Sequence, residues 1–170
     1  IDFTPALPPR RAALLQRMPM GSVLKLHIAY KTPFWRRKGL SGAIVGTGRA
    51  LGLAFDQSPQ DESLGILVGL VEGGHAIEFS ALTREERKQK VVSDLVHYLG
   101  NGASEPLDYV DHDWSTDAWT LGGYGAHMPP GVVTAFSDVI REPCGRVHWA
   151  GTETATQFIG YLEGDLQSGI

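Results

Sequence analysis

At 170 residues, with 42% hydrophobic and 20% charged side chains, the chain has the make-up of an ordinary globular protein of about one domain. A formal net charge of −4 with scattered lysines and arginines leaves no basic footprint for nucleic acid. The one cysteine, Cys144, excludes an internal disulfide framework, no apolar run nears the ~18 residues of a membrane span, and the N-terminus has no basic-then-apolar signal pattern, so a reducing, cytoplasmic setting is expected.

Residues 1–9, with Pro5, Pro8 and Pro9, read as an extended lead-in. Two prolines then suit the start of a helix through Arg10–Gln16, which Pro19 ends. From Gly21 to Lys31 the chain alternates with period two: Leu24, Leu26, Ile28 and Tyr30 form an apolar face, and Lys25 and His27 share the other. Pro33-Phe-Trp-Arg36 is a loop pinned by its aromatics. Shorter strands are predicted at 43–47, 51–56 and 64–71. Thr83-Arg-Glu-Glu86 spells a capping box, Val91, Val92, Leu95, Val96 and Leu99 make a helical stripe, and Gly100-Asn-Gly102 stops it. A strand is expected over 107–112, a helix from Pro129-Pro130 through Val132–Ile140, and a short buried strand over Arg146–Ala150. That strand runs into the turn Gly151-Thr-Glu153, and a new helix opens at Gly160-Tyr161. The order of elements predicts an α+β or α/β fold.

Strand, glycine turn and helix start let backbone approach an anionic or electron-rich cofactor. Gly46-Thr-Gly48 with Gly52 misses the dinucleotide spacing by one place and reads as a glycine-rich hairpin. Asp111-His-Asp113 could ligate a metal only if neighbours on a strand shared a face, which they do not, so no metal site is expected. There is no Gly-x-Ser-x-Gly elbow. Trp114, Trp119, Tyr124 and Tyr161 sit in glycine-bearing, non-periodic surroundings; they could be packing residues or the walls of a site for a flat partner. Lys25 is either a solvated lysine or a site residue.

Ala150-Gly-Thr-Glu-Thr-Ala-Thr156 followed by Gly160-Tyr-Leu-Glu-Gly164 resembles the C-terminal flavin-binding signature of the flavin monoamine oxidases. Arg17–Lys25, Pro33–Arg36, Leu82–Arg87 and Pro129–Gly131 resemble the same family in the same order, over nearly the whole chain. The resemblance implies oxidation of a small-molecule amine at its α-carbon by FAD, with dioxygen reduced to hydrogen peroxide. It implies that Lys25 holds a water near the flavin, that Tyr124 and Tyr161 form an aromatic cage for the amine, and that Trp114 and Trp119 lie beside the flavin. Gly151, Thr152 and Glu153 would form the turn that holds the cofactor, with Gly160 and the backbone at Leu162 opening the helix toward it. Gly123 stands where the mitochondrial enzymes carry the cysteine that binds flavin, so FAD is expected to be non-covalent; His127 stands where the mammalian enzymes carry a tyrosine.

By this resemblance, residues 1–114 belong to a mixed-sheet substrate-binding domain with flanking helices, and residues 115–170 return to the FAD-binding domain. The glycine fingerprint of an N-terminal dinucleotide-binding half is absent, so the chain is expected to be a piece of a longer enzyme, with that half as its partner and little capacity to hold FAD alone. The rival expectation is a catalytically silent truncated or interaction module that retains no flavin, its exposed apolar surface favouring self-association.

Overall fold

The computed structural model describes residues 1–170, which form two compact units, one of residues 22–122 and one of residues 1–21 with 123–170. The sequence-based division falls at Trp114, whereas the compact unit continues to Gly122 because the turn Trp114–Thr116 packs on the first strand.

The 22–122 unit is built on a five-stranded sheet in the order β2-β3-β4-β1-β5, made by Val23–Tyr30 (β1), Ile44–Val45 (β2), Leu51–Asp56 (β3), Gly65–Glu72 (β4) and Asp108–Asp113 (β5). Helices Gly73–Ser80 (α2) and Arg84–Leu99 (α3) accompany it. Sheet and helices together give the expected α/β mixture, and every strand pair is antiparallel, so the mixture does not extend to strand direction. The period-two pattern of β1 is realised: Leu24, Leu26, Ile28 and Tyr30 are buried, and His27 is exposed. Their face packs with Ala76 and Phe79 of α2 and Val91, Leu95 and Leu99 of α3 in one continuous core. Loop residues Phe34 and Trp35 close it through edge contacts with Tyr30.

The capping box at α3 forms on both sides: Thr83 accepts from the Glu86 amide, and the Glu86 carboxylate accepts from the Thr83 amide at 2.8 Å. These bonds hold the Glu86 carboxyl below its ordinary range. The glycines at 46–52 turn the β2–β3 hairpin, closed by the Gly46 amide on the Gly52 carbonyl at 2.9 Å. Sequence patterning gave no sign of α2, which follows β4 directly because Gly73 adopts a φ of +59° that turns the chain without a linker.

In the other unit, Pro9–Leu15 forms α1, Val132–Phe136 forms α4 and Leu162–Ser168 forms α5. Residues 19–21 pair with 123–127: Gly123 donates to the Gly21 carbonyl at 2.8 Å, Gly21 to Gly125 at 3.1 Å and His127 to Pro19 at 2.7 Å. Gly21 has to be glycine here, because a Cβ on it would lie 2.4 Å from the Gly123 carbonyl oxygen. Two sequence expectations are corrected. The helix after Pro130 ends at Phe136, short of Ile140. The strand expected over 146–150 does not form; only an isolated bridge joins Cys144 and Val147, and the segment is mostly exposed, since a strand needs a partner to satisfy its backbone. No helix is long and apolar enough to cross a membrane.

Candidate functional site

In the 1–21/123–170 unit, Tyr124 sits on the segment that pairs with residues 19–21, with its side chain 57% exposed. Tyr124, Ala126, Gly151, Thr152 and Glu153 line one cavity of about 500 Å³, together with Arg11, Met20 and Trp149. Residues 152–154 form a single 3-10 turn that follows Gly151, whose φ of +143° is open to glycine. The turn is tied down by the Gly151 amide on the Ser168 hydroxyl at 2.8 Å and by the Thr154 hydroxyl on the Gly151 carbonyl at 2.9 Å.

Two side chains of the turn reach outward. A Glu153 carboxylate oxygen accepts the Ala126 amide at 2.6 Å, and the Thr152 hydroxyl accepts the Gly160 amide. Gly160 precedes Tyr161, the N-cap of α5, and Tyr161 and Leu162 are 70% and 81% exposed. With Phe158, Ile159 and Leu166 they form an open apolar and aromatic surface.

Arg11 and Trp149, which sequence reasoning passed over, are the notable members of the cavity wall. The Arg11 guanidinium is buried, lies 3.7 Å from the centre of the Trp149 ring, and donates to the carbonyls of Val139 and Ile140 at 2.8 and 2.9 Å. Burial pulls its pKa below the ordinary arginine value, against an opposing pull from Cys144. Arg11 Nε and Trp149 Nε1 are buried donors with no acceptor within the chain. The only sequence signal for Arg11 was its place on an otherwise apolar helix face beside Leu14.

The remaining expected residues stand on the sheet unit. Lys25 is half-buried on β1, directly across from Leu70 of β4 and His112 of β5. Trp114 packs edge-on against His112 at 4.6 Å between ring centres, and its Nε1 is likewise buried without an acceptor. Lys25, His112 and Trp114 therefore occupy one corner of the sheet. Trp119, by contrast, is 85% exposed in an irregular stretch. Asp111 and Asp113 are committed elsewhere: Asp111 to Arg87 and the Tyr109 hydroxyl, Asp113 to Ser80 and Ser115. No group of three or more metal-ligating side chains exists.

A family model for flavin-containing amine oxidoreductases matches residues 1–170. The chain belongs to that family. FAD is accordingly its cofactor class. Over 99% of its length the chain is 41% identical to an L-amino acid dehydrogenase of Synechocystis and 40% identical to the flavin-containing amine oxidase of Danio rerio. It covers 36% and 33% of those proteins, about a third of the length of each. Two solved structures superpose closely over 99% of the chain and 38% of their own. They are a putrescine oxidase bound to putrescine (TM-score 0.92, 32% identity) and the cyclohexylamine oxidase of Brevibacterium oxydans (TM-score 0.90, 37% identity).

Proposed function

We propose that this chain supplies the amine-binding and C-terminal flavin-contacting parts of an FAD-dependent amine oxidase. The observation that carries the reading is that Tyr124 and the Gly151-Thr-Glu153 turn, distant in sequence, line one cavity with Arg11 and Trp149, each of which holds a buried N–H without an acceptor. A ligand rich in acceptors suits that wall. FAD carries ring carbonyls, ribityl hydroxyls and phosphates, so the residues present fit it.

Bound FAD, which the 151–153 turn and the backbone at Gly160 and Leu162 would hold, would supply two-electron oxidation of the amine at its α-carbon to an imine, with dioxygen reduced to hydrogen peroxide. The chain's own residues bind, orient and hold protons. Tyr124 and Tyr161 present electron-rich ring faces that orient the amine nitrogen. The Lys25 ammonium, held on β1 between Leu70 of β4 and His112 of β5, orients a water by donating to it. Trp114 and Trp119 offer flat apolar surface for a ring system, and the glycines at 151 and 160 let backbone approach it closely. Gly123 before Tyr124 offers no thiol, which supports non-covalent retention. The unit carrying the 151–153 turn is assigned the flavin side and the tyrosine cage, and the sheet unit the remaining substrate side. The single cysteine supports a reducing, cytoplasmic setting.

Reconstitution tests the reading. Protein supplied with FAD is expected to turn yellow and to lose its flavin absorbance anaerobically when an amine is added, with peroxide released in air. A panel of cyclohexylamine, putrescine and an L-amino acid, the compounds in the names of its relatives, ranks the substrate classes. Protein that acquires no flavin under any of these conditions is the silent module instead. The exposed apolar surface at Phe158–Leu166 favours that second reading to the extent that the protein self-associates.

A further inference from the structure

Three features of the molecule have partners or surroundings that the chemistry above does not use. The polar hollow around Arg49, Lys90 and Asp94 is spent on an internal ion pair and a backbone cap. The exposed surface of α5 has nothing in the structure to name its occupant. The third, the pair of side chains that reach out of the 152–154 turn, carries an inference.

We propose that Thr152 and Glu153 are positioning residues, each setting one of the two tyrosines through a separate hydrogen bond. The proposal rests on the reading of Tyr124 and Tyr161 as the amine cage. In the ladder between 19–21 and 123–127, the main-chain groups of Gly123, Gly125 and His127 face residues 19–21. Those of Ala126 alternate to the opposite side, where the ladder offers no acceptor. The Glu153 carboxylate fills that gap at 2.6 Å, from 27 residues away. It is wedged there: a Cβ on Gly125 would come within 3.3 Å of one carboxylate oxygen and a Cβ on Gly151 within 3.3 Å of the other. An ionised acceptor makes this bond stronger than its neighbours in the ladder. Thr152, the preceding residue, turns the other way and holds the Gly160 amide, one residue before Tyr161. The turn itself is fixed to α5 through Ser168. One turn thus holds the backbone two residues after Tyr124 by a carboxylate and the backbone one residue before Tyr161 by a hydroxyl, so two adjacent side chains set the segments that carry the two rings.

The test uses the full chain with 3-fluorotyrosine placed at position 124 or 161 and read by fluorine NMR. Glu153→Ala is expected to shift and broaden the resonance at 124 and leave that at 161 in place; Thr152→Val is expected to do the reverse. Glu153→Gln and Thr152→Ser keep an acceptor and are expected to restore the wild-type positions, with the Ala126 amide exchanging faster in Glu153→Gln because its acceptor is no longer charged. Both resonances moving together in both variants, or neither moving in either, overturns the proposal. Should Glu153→Ala fail to fold, unchanged exchange of the Ala126 amide in Glu153→Gln overturns it as well. In the flavin-loaded enzyme, either truncation is expected to raise KM for cyclohexylamine roughly tenfold, with a smaller effect on kcat. The cage reading fails separately: Tyr124→Leu and Tyr161→Leu with unchanged KM would remove it, whereas the fluorine pattern decides the positioning.

Discussion

The two compact units solve their internal chemistry differently. The 22–122 unit buries a continuous apolar core and pairs its buried charges: Arg87 meets Asp111 at 2.6 Å, Arg36 meets Asp56 at 2.7 Å and Arg49 meets Asp94 at 3.0 Å. The 1–21/123–170 unit buries few side chains, holds a guanidinium against carbonyls and a tryptophan ring with no carboxylate, and exposes Tyr124, Phe158, Ile159, Tyr161 and Leu162. Buried polar groups are normally satisfied and aromatics normally covered. The sheet unit departs from the same rules chiefly at its 114–121 stretch, where Trp114 Nε1 lacks an acceptor and Trp119 is 85% exposed, so the departures gather on the residues that the proposed function uses.

Breaking the satisfied unit is expected to cost most. Arg87→Ala strands the Asp111 carboxylate in a nearly dry setting, and urea melts should show a loss of about 3–5 kcal/mol. The same pairing, with Asp111 the larger cause and Coulomb attraction adding to it against burial, raises the Arg87 pKa. Next comes Asp56. Burial alone would raise its pKa from 3.8, but donation from Arg36, Ser58 and Trp35 wins and holds it well below the usual carboxylate range. A depressed folded pKa means that the stabilisation is complete above about 3.8 and is lost as pH falls further. Asp56→Asn should therefore lower stability by roughly 1.5–3 kcal/mol at pH 7 and flatten the acid limb of the melting curve below pH 4.

Changes in the other unit are expected to be smaller and of mixed sign. Gly164→Ala would set a Cβ 2.4 Å from the Phe158 carbonyl oxygen, forcing α5 away at a cost of about 1–3 kcal/mol by thermal melting. Trp149→Phe removes a buried donor that has no acceptor, and stability without flavin should stay level or rise by up to about 1 kcal/mol. A large loss in Trp149→Phe would mean that the unit is satisfied after all, and the contrast between the units would dissolve.

Most of the sheet unit was legible in the sequence because its signals are local. Alternation from Val23 to Tyr30 and the Thr83–Glu86 box each name an element without reference to the rest of the chain. Helix α2 was invisible because Gly73-Gly74 reads as a break and only Ala76 and Phe79 mark its buried face. The strand expected at 146–150 had the right residues and no partner to pair with. The motif singled out the 151–153 turn and the two tyrosines as candidates, but not the bond from the turn to Ala126, since Glu153 and Ala126 are 27 residues apart. Arg11 was hidden for the same reason: its partners at 139, 140 and 149 are more than a hundred residues away.

Anaerobic titration of FAD-reconstituted protein with cyclohexylamine tests the central claim most directly. The account expects a bound-flavin spectrum that bleaches in proportion to added amine and returns, with peroxide, on admission of air. Protein that stays colourless with FAD, or a bound flavin that no amine reduces, would contradict it.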